Sequence, residues 1–588
     1  MYRSQMAAFL KQFCAELHRE TQRLQAQTMP SLTEALFVDF EQTGSRRAYE
    51  HIYFTRRRFL LAFGLQALVE KQHTGRASIP ILGKLAQIIT EICRETCWAL
   101  PAHVNRKSPG WQLTIDLFAA ETAQTLSELT DRLRTELPVP VLEQVRQTVE
   151  ARVLIPFLAC RQYGWEKADH NWNAVCTSCI GSACIHLWGA CARTDQCLNR
   201  VVDSLAYYIR GFAADGTCIE GVGYYTYGMA YFVNFARELY TYTGGKTDLL
   251  CGPWPGLSVE EMGRRAYIAV FQSACFFADG RSVSFSDGNS CDKFCMGLLL
   301  ALQERFPQVE LPPLECAADL WHDHNFRFVP RRLDFEMVQA YLSSACDTTA
   351  PAPRDLCLLP DAQWCIARSC TGMELACKGG HNGEPHNHKD VGHFIYEGHG
   401  ILFLTDLGAG EYTRDYFNEN RYTVLCTDTR GHSVPILDGK GQLSGSAARC
   451  TTFTASRQQN AVQVEMELSA AYGRPRGTLH RQLTLLLDTG ALYVTDRVAA
   501  GPDRPVSVRE NLVTQICPQL QASGILLERD GHRVLLQFAA GIPQDICIEP
   551  LTHQNHRGQP ETVYAIQWTL PANQTHCLFS LCPSNDHW

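Results

Sequence analysis

No stretch of this chain reaches about 18 consecutive apolar residues, so no membrane-spanning helix is expected. Positive charge is in deficit. Lys and Arg number 53 against 61 Asp and Glu, a net charge of −8, which argues against a general nucleic-acid binder with its basic face. The N-terminal MYRSQMAAFLKQFCAELHRE lacks a continuous apolar core and a small-residue cleavage site. It reads as an amphipathic helix rather than a signal peptide, and a cytoplasmic location is expected. TRRRFLLAFGLQAL at 55–68 imitates a twin-arginine signal but lies too far from the start, and is expected to be a buried helix with a basic entry. No strict internal repeat is present. Cysteine is plentiful at 26 residues, but paired metal-ligand couples are scarce. CTSCIGSACIHLWGAC at 176–191 holds one CxxC without a second couple, so its thiols are expected to be reduced, small core residues.

The first ~330 residues carry apolar positions at three- and four-residue spacing, in MAAFLKQFCAELHRETQRLQAQ, YEHIYFTRRRFLLAFGLQALVEKQ, IPILGKLAQIITEICRETCWAL and TIDLFAAETAQTLSELTDRLRTEL. Successive amphipathic helices without strands between them imply helix-on-helix layers. From about 360 the texture changes to short alternating or apolar runs, such as ELACKGG, GHFIYEG, GILFLTDLG, AVQVEMELSAAY and TVYAIQWTLP, separated by Gly, Asp and Asn. These predict an antiparallel sandwich. The fold class is therefore α+β and multidomain, with a helical domain at 1–330, a β-sandwich at 331–588, and 311–355 as the junction.

PHNHKDVGHFIYEGHGILFLTDLGAG at 385–410 concentrates imidazoles in what reads as a β-hairpin. His386 and His388 lie two apart, and on a strand such positions share a face. Asp390 would continue that face, Asp406 follows the partner run, and His432 precedes another strand in RGHSVPILDG. Two imidazoles and a carboxylate suit a zinc-type shell, while a neighbouring imidazole stays available for proton transfer. In the helical half, DHNWNAVC sets Asn171 and Asn173 around Trp172 at the start of an apolar helix, where Asn is also a common cap. ADGTCIEGVGYYTYGMAYF offers Glu220, Tyr224 and Tyr227 at offsets of four and three. These fall on one face if the helix has begun by Glu220.

WALPAH (98–103), NWNAV (171–175), EGVGYYTYG (220–228), HNHKDVGHF (386–394), FLTDLGAGEY (403–412) and GHSVPILDG (431–439) together resemble the heparinase II/III-like polysaccharide lyases, in the order that family shows. The resemblance implies an N-terminal incomplete (α/α) toroid, a C-terminal antiparallel β-sandwich and an active site in the cleft between them. It also implies β-elimination at a uronic acid, in which the proton leaves C5 and the glycosidic oxygen leaves C4. Such chemistry needs the uronate carboxylate neutralised, a base and an acid. Carried onto this sequence, Asn173, or failing that Asn171, would bind the carboxylate. Tyr224 would be base, acid or both, with Tyr225 and Tyr227 as alternative matches. His386 would be the second proton-transfer group and Glu220 would orient the tyrosine. His103, Trp172, Tyr225 and Arg421 would meet substrate. His388, Asp406 and His432 would hold a structural zinc, with no organic cofactor.

The implied partner is an acidic oligo- or polysaccharide, with neither nucleic acid nor membrane bound and a homodimer left open. Family members are commonly exported, so the missing export signal points to imported oligosaccharides as substrate. A heparin groove would need dense Arg and Lys to meet sulfates; the helical half offers SRRAY and TRRRF, but nothing in the sequence places them in the cleft. A uronate C5-epimerase with the same site, a non-catalytic carbohydrate-binding protein and a zinc hydrolase are the rival readings.

Overall fold

The structure is a computed structural model that describes residues 2–289, 292–344, 354–473, 477–500, 506–570 and 575–584. The chain divides into two compact units. One comprises Met1–Phe212, Tyr224–Val270 and Lys293–Pro351; the other comprises Ala213–Gly223, Phe271–Asp292 and Ala352–Trp588.

The first unit is helical, and its periodic segments become the helices Tyr2–Gln25, Arg47–Thr74, Ile79–Cys93 and Leu117–Arg132. Local chemistry sets their ends. Gly75 stops the second in a left-handed conformation (φ 84°) that a glycine adopts without a Cβ penalty. The Asp116 carboxylate caps the fourth by accepting from the Ala119 amide. Arg56, Arg57 and Phe59 of TRRRF are buried, as expected, while Arg58 is partly exposed. Arg56 and Arg57 both donate to Glu95, and Arg58 lies 2.7 Å from Glu20. The cysteine-rich stretch lies on helix Asn171–Trp188, with Cys176, Cys179 and Cys184 buried as core residues. Among the described residues every cysteine is a free thiol. VPRRLDF does not belong to a junction: it opens helix Phe328–Ser343, which packs against Tyr2–Gln25 because eleven of its residues are buried. TTAPAPRD lies largely outside the described residues. Among the described residues no helix is long and apolar enough to cross a membrane.

The second unit is antiparallel β. One sheet runs, in spatial order, Leu356–Leu359, Trp364–Arg368, Met373–Lys378, Phe394–Gly398 and Ile401–Leu404. A larger one runs Gln519–Gln521, Gly524–Arg529, His532–Phe538, His576–Ser584, Leu492–Ala500, Gly477–Leu486, Ala461–Glu467 and Thr452–Arg457. A third runs Cys547–Gln554, Pro560–Thr569, Val508–Thr514 and Ile436–Leu437. Alternation sets the register. Val462 and Val464 lie opposite Leu485 and Leu483, all four buried, so one face of AVQVEME closes a core shared by the sheets. That core also holds an ionic cluster. Arg481 faces Asp496 across the ladder and binds both its oxygens, at 2.8 and 2.6 Å.

Candidate active site

The motif histidines are not on a strand. After the short strand His381–Asn382 the chain runs as a loop until Phe394–Gly398 begins. The i, i+2 argument therefore fails here. Pro385 and Gly392 interrupt extended pairing, and His386 sits at φ 54°, outside the β region. Hydrogen bonds shape the loop instead. The Asn387 side chain donates to the Asn382 carbonyl, the Lys389 amide donates to Thr427, and Gln442 bonds both backbone groups of Val391. Arg481 pins it from inside the sandwich by donating to the carbonyls of Gly392 and Ser433, next to His393 and His432.

The loop closes around a residue the sequence did not single out. Asp287, from SFSDG, is fully buried and accepts hydrogen bonds on both oxygens. Oδ2 takes His386 Nδ1 at 2.7 Å and the Tyr412 hydroxyl at 3.1 Å. Oδ1 takes His388 Nε2 at 3.0 Å, Arg421 at 3.2 Å and the Tyr416 hydroxyl. Burial alone would raise its pKa, but the bonds from His386 and His388 hold it well below the usual carboxylate range. His386 is the exposed member of this set, its side chain 24% accessible against 0% for Asp287 and His388. Its Nε2 lies 3.5 Å from Glu220. Burial opposes charge on the His386 ring, but Asp287 outweighs it and raises the pKa. Glu220 precedes helix Val222–Tyr242 and so shares no helical face with Tyr224 and Tyr227.

Beneath this set lie the three residues that the sequence offered as metal ligands, close enough to hold a cation. One ligand atom each from His388, Asp406 and His432 lies within 4.8 Å of the others, and all three residues are buried. A tetrahedral ion with bonds of about 2.0–2.2 Å separates its ligand atoms by roughly 3.4 Å; Asp406 Oδ2 and His432 Nδ1 are 3.5 Å apart. His388 Nδ1, Asp406 Oδ2 and His432 Nδ1 make no hydrogen bond, which is costly for buried polar atoms and expected of atoms reserved for a metal ion. The opposite nitrogens fix the protonation. His388 Nε2 donates to Asp287 and His432 Nε2 to the Cys426 carbonyl at 2.8 Å, so both Nδ1 atoms carry lone pairs in the neutral rings. His393 is the reverse. Its Nδ1 accepts from the Ser433 amide, so its proton is on Nε2, 3.2 Å from Asp406 Oδ2. Protonated there, Nε2 offers no lone pair and does not join the shell. His553, buried with neither nitrogen hydrogen-bonded and close enough to feel Glu561, His388 and Asp406, was also unread in the sequence.

Arg421, expected to meet substrate, is committed to the loop. Its guanidinium donates to the carbonyls of Asn387 and Tyr416 and to Asp287. Asp390 forms a buried ion pair with Lys378 at 3.1 Å and belongs to no shell.

In the helical unit the remaining candidates separate clearly. The Asn173 amide donates to the Glu166 carbonyl, the Ser204 carbonyl and the Ser204 hydroxyl, and the residue is fully buried; it ties helices together and is not placed to bind a carboxylate. Asn171, the first helical residue after the His170 cap, is buried as well, and both asparagines keep an unbonded Oδ1. Tyr225 is fully buried and donates to the Ile268 carbonyl, so it does not meet substrate. The Tyr227 hydroxyl donates to Glu121 beneath the Arg327 guanidinium, which lies 3.7 Å from its ring centroid. Burial raises Glu121 to about 7. Tyr224, like Tyr227, is half-buried. His103 hydrogen-bonds Asp116 at 2.7 Å, stacks on Phe118 and meets the Trp172 ring edge at 4.8 Å. Phe118, Glu121 and Arg327 line one small cavity of this unit.

Residues 351–574 match a family model described as heparinase II/III-like, C-terminal. No curated protein matches the sequence. Three solved structures are similar across nearly the whole chain. The heparan sulfate lyase HepC from Pedobacter heparinus is 12% identical, with 98% of this chain and 89% of that one covered and a TM-score of 0.59. A heparinase III is 10% identical, over 98% and 92%, with a TM-score of 0.63. The chondroitin AC lyase of Streptomyces coelicolor, in complex with chondroitin sulphate, is 13% identical, over 100% and 80%, with a TM-score of 0.53. At these identities the likeness is one of fold: an incomplete (α/α) toroid followed by an antiparallel β-sandwich. Residues 351–574 thus match the heparinase II/III-like C-terminal model, in a chain with the fold of the heparinase III structures.

Proposed function

We propose that this protein is a lyase that cleaves uronic-acid-containing glycans by β-elimination. The observation that carries the reading is His386: an accessible imidazole whose Nδ1 is held by buried Asp287 and whose Nε2 points toward Glu220, beside a buried His–Asp–His cluster. The heparan sulfate and chondroitin lyases of the same fold point to glycosaminoglycans as the substrate class.

In this reading Asn171, rather than Asn173, donates to the uronate carboxylate and so acidifies the C5 proton. Tyr224 and His386 are the proton-transfer pair. One takes the C5 proton, the C5–H electrons form the C4=C5 double bond, and the C4–O bond breaks with its electrons on the leaving oxygen. The other delivers a proton to that oxygen. Glu220 supports His386, while His103 and Trp172 meet the sugar. Zinc is the metal that suits two neutral imidazoles and a carboxylate. Bound there, it would order the loop carrying His386. His388, Asp406 and His432 would hold it, and all the proton transfers belong to the protein.

The test is a product screen of the purified chain against short uronic-acid oligosaccharides, heparan sulfate, chondroitin, hyaluronan and alginate. Fragments that absorb in the ultraviolet without added water mass support the lyase. Fragments carrying added water refute it in favour of a hydrolase. Deuterium taken up at C5 without cleavage refutes it in favour of an epimerase.

A further inference from the structure

We propose that Asp287 is a positioning residue that sets the protonation of both motif histidines at once, so that cation binding at His388 and proton transfer at His386 share one carboxylate. The proton-transfer half rests on the lyase reading; the cation half does not.

An ionised carboxylate only accepts hydrogen bonds. Whichever imidazole nitrogen faces Asp287 must therefore carry a proton. For His386 that atom is Nδ1, and for His388 it is Nε2. The opposite choice of nitrogen in residues only two apart follows from the backbone, since His386 adopts the left-handed region. In the neutral rings the consequence is complementary. His386 is left with Nε2 on its accessible side, toward Glu220, and His388 with an Nδ1 lone pair toward Asp406 and His432. Arg421, Tyr412 and Tyr416 complete the acceptor's capacity and keep it anionic.

Asp287 cannot drift to suit one histidine. Ser286 before it is held at φ 60°, and the Gly288 carbonyl after it accepts from the Ala409 amide at 3.1 Å. Gly408 lets that carbonyl approach, because a Cβ there would lie 2.2 Å from it. An amide in place of the carboxylate has one oxygen and one NH2, so it can satisfy one histidine and must oppose the other.

The test uses the full chain with Asp287→Asn. Zinc affinity, measured by competition with a chromophoric chelator, is expected to fall about ten- to hundredfold. On the substrate found in the product screen, kcat is expected to fall by at least about a hundredfold with KM within about threefold. Asp287→Glu restores part of both. Loss of only one of the two, or of neither, overturns the coupling. If Asp287→Asn does not fold, solid-state NMR of the unaltered chain labelled with 15N-histidine decides, with His386→Ala and His388→Ala to assign the signals. Nδ1–H at His386 with Nε2–H at His388 supports the proposal, and any other pair overturns it. If wild type turns over no glycan, the lyase reading fails, while zinc affinity and ring protonation still judge Asp287.

Discussion

Arg481→Met should expose how the sandwich core holds the loop. Arg481 is fully buried and binds both oxygens of Asp496. Burial, followed by the nearby Asp496 charge, keeps Glu510 well above the usual carboxylate range, so Arg481 answers a single negative charge. Methionine replaces the side chain's length but not its charge. Asp496 would then be buried uncompensated, a situation that costs about 3–5 kcal/mol. The Gly392 and Ser433 carbonyls also lose a donor, at about 1 kcal/mol each. The expected loss is about 6 kcal/mol. Urea unfolding, assigned to the sandwich by hydrogen exchange of 461–500, measures it. A deficit under about 2 kcal/mol would refute the reasoning.

Further perturbations separate neighbours. Glu374 and Glu397 face each other across adjacent strands, and burial raises them to about 7 and about 8. Their folded values exceed the unfolded one, so this contribution to stability is present below about pH 4.5 and is lost as pH rises through 7 to 8. Glu397→Gln keeps the bond from the Gly400 amide and should raise the free energy of urea unfolding by a few kcal/mol at pH 8.5 and hardly at all at pH 4.5. Tyr224→Phe should lower kcat about 10²- to 10⁴-fold, whereas Tyr225→Phe should cost about 1 kcal/mol of stability and leave kcat within a few-fold. Kinetics beside thermal melts read both. Asn173→Ala should destabilise the helical unit by about 1–3 kcal/mol, while Asn171→Ala should act on kcat. A melt in which Asn171→Ala proves the more destabilising would reverse that assignment. Chelation of a zinc-loaded sample should speed hydrogen exchange in 383–393 and 428–434 and leave 461–486 unchanged.

Much of the fold was legible because it rests on local periodicity. LLAFGLQALV had to be a buried helix and AVQVEME a half-buried strand, whatever they packed against. The cation cluster was legible too, because imidazole and carboxylate among apolar strands have few other uses. The geometry that brings the histidines together was misread, since a loop with one left-handed residue leaves no mark at HNH. Asn173, Tyr225, Arg421 and the TRRRF arginines matched motifs or charge patterns, yet each is spent on internal bonds that no pattern reveals. VPRRLDF looked like a linker because its proline stands near the start of a helix, the one place where a missing amide costs nothing.

The sequence by itself thus determined the fold class and the supply of imidazole, phenol and carboxylate groups, because hydrophobic periodicity and side-chain chemistry are local properties. Tertiary structure alone decided which of those groups are available and what holds them. Asp287 lies in the helical half of the sequence, but segment 271–292 folds into the sheet unit and sets its carboxylate between two histidines about a hundred positions away. A contact of that span depends on where the chain turns back, and no local pattern encodes it.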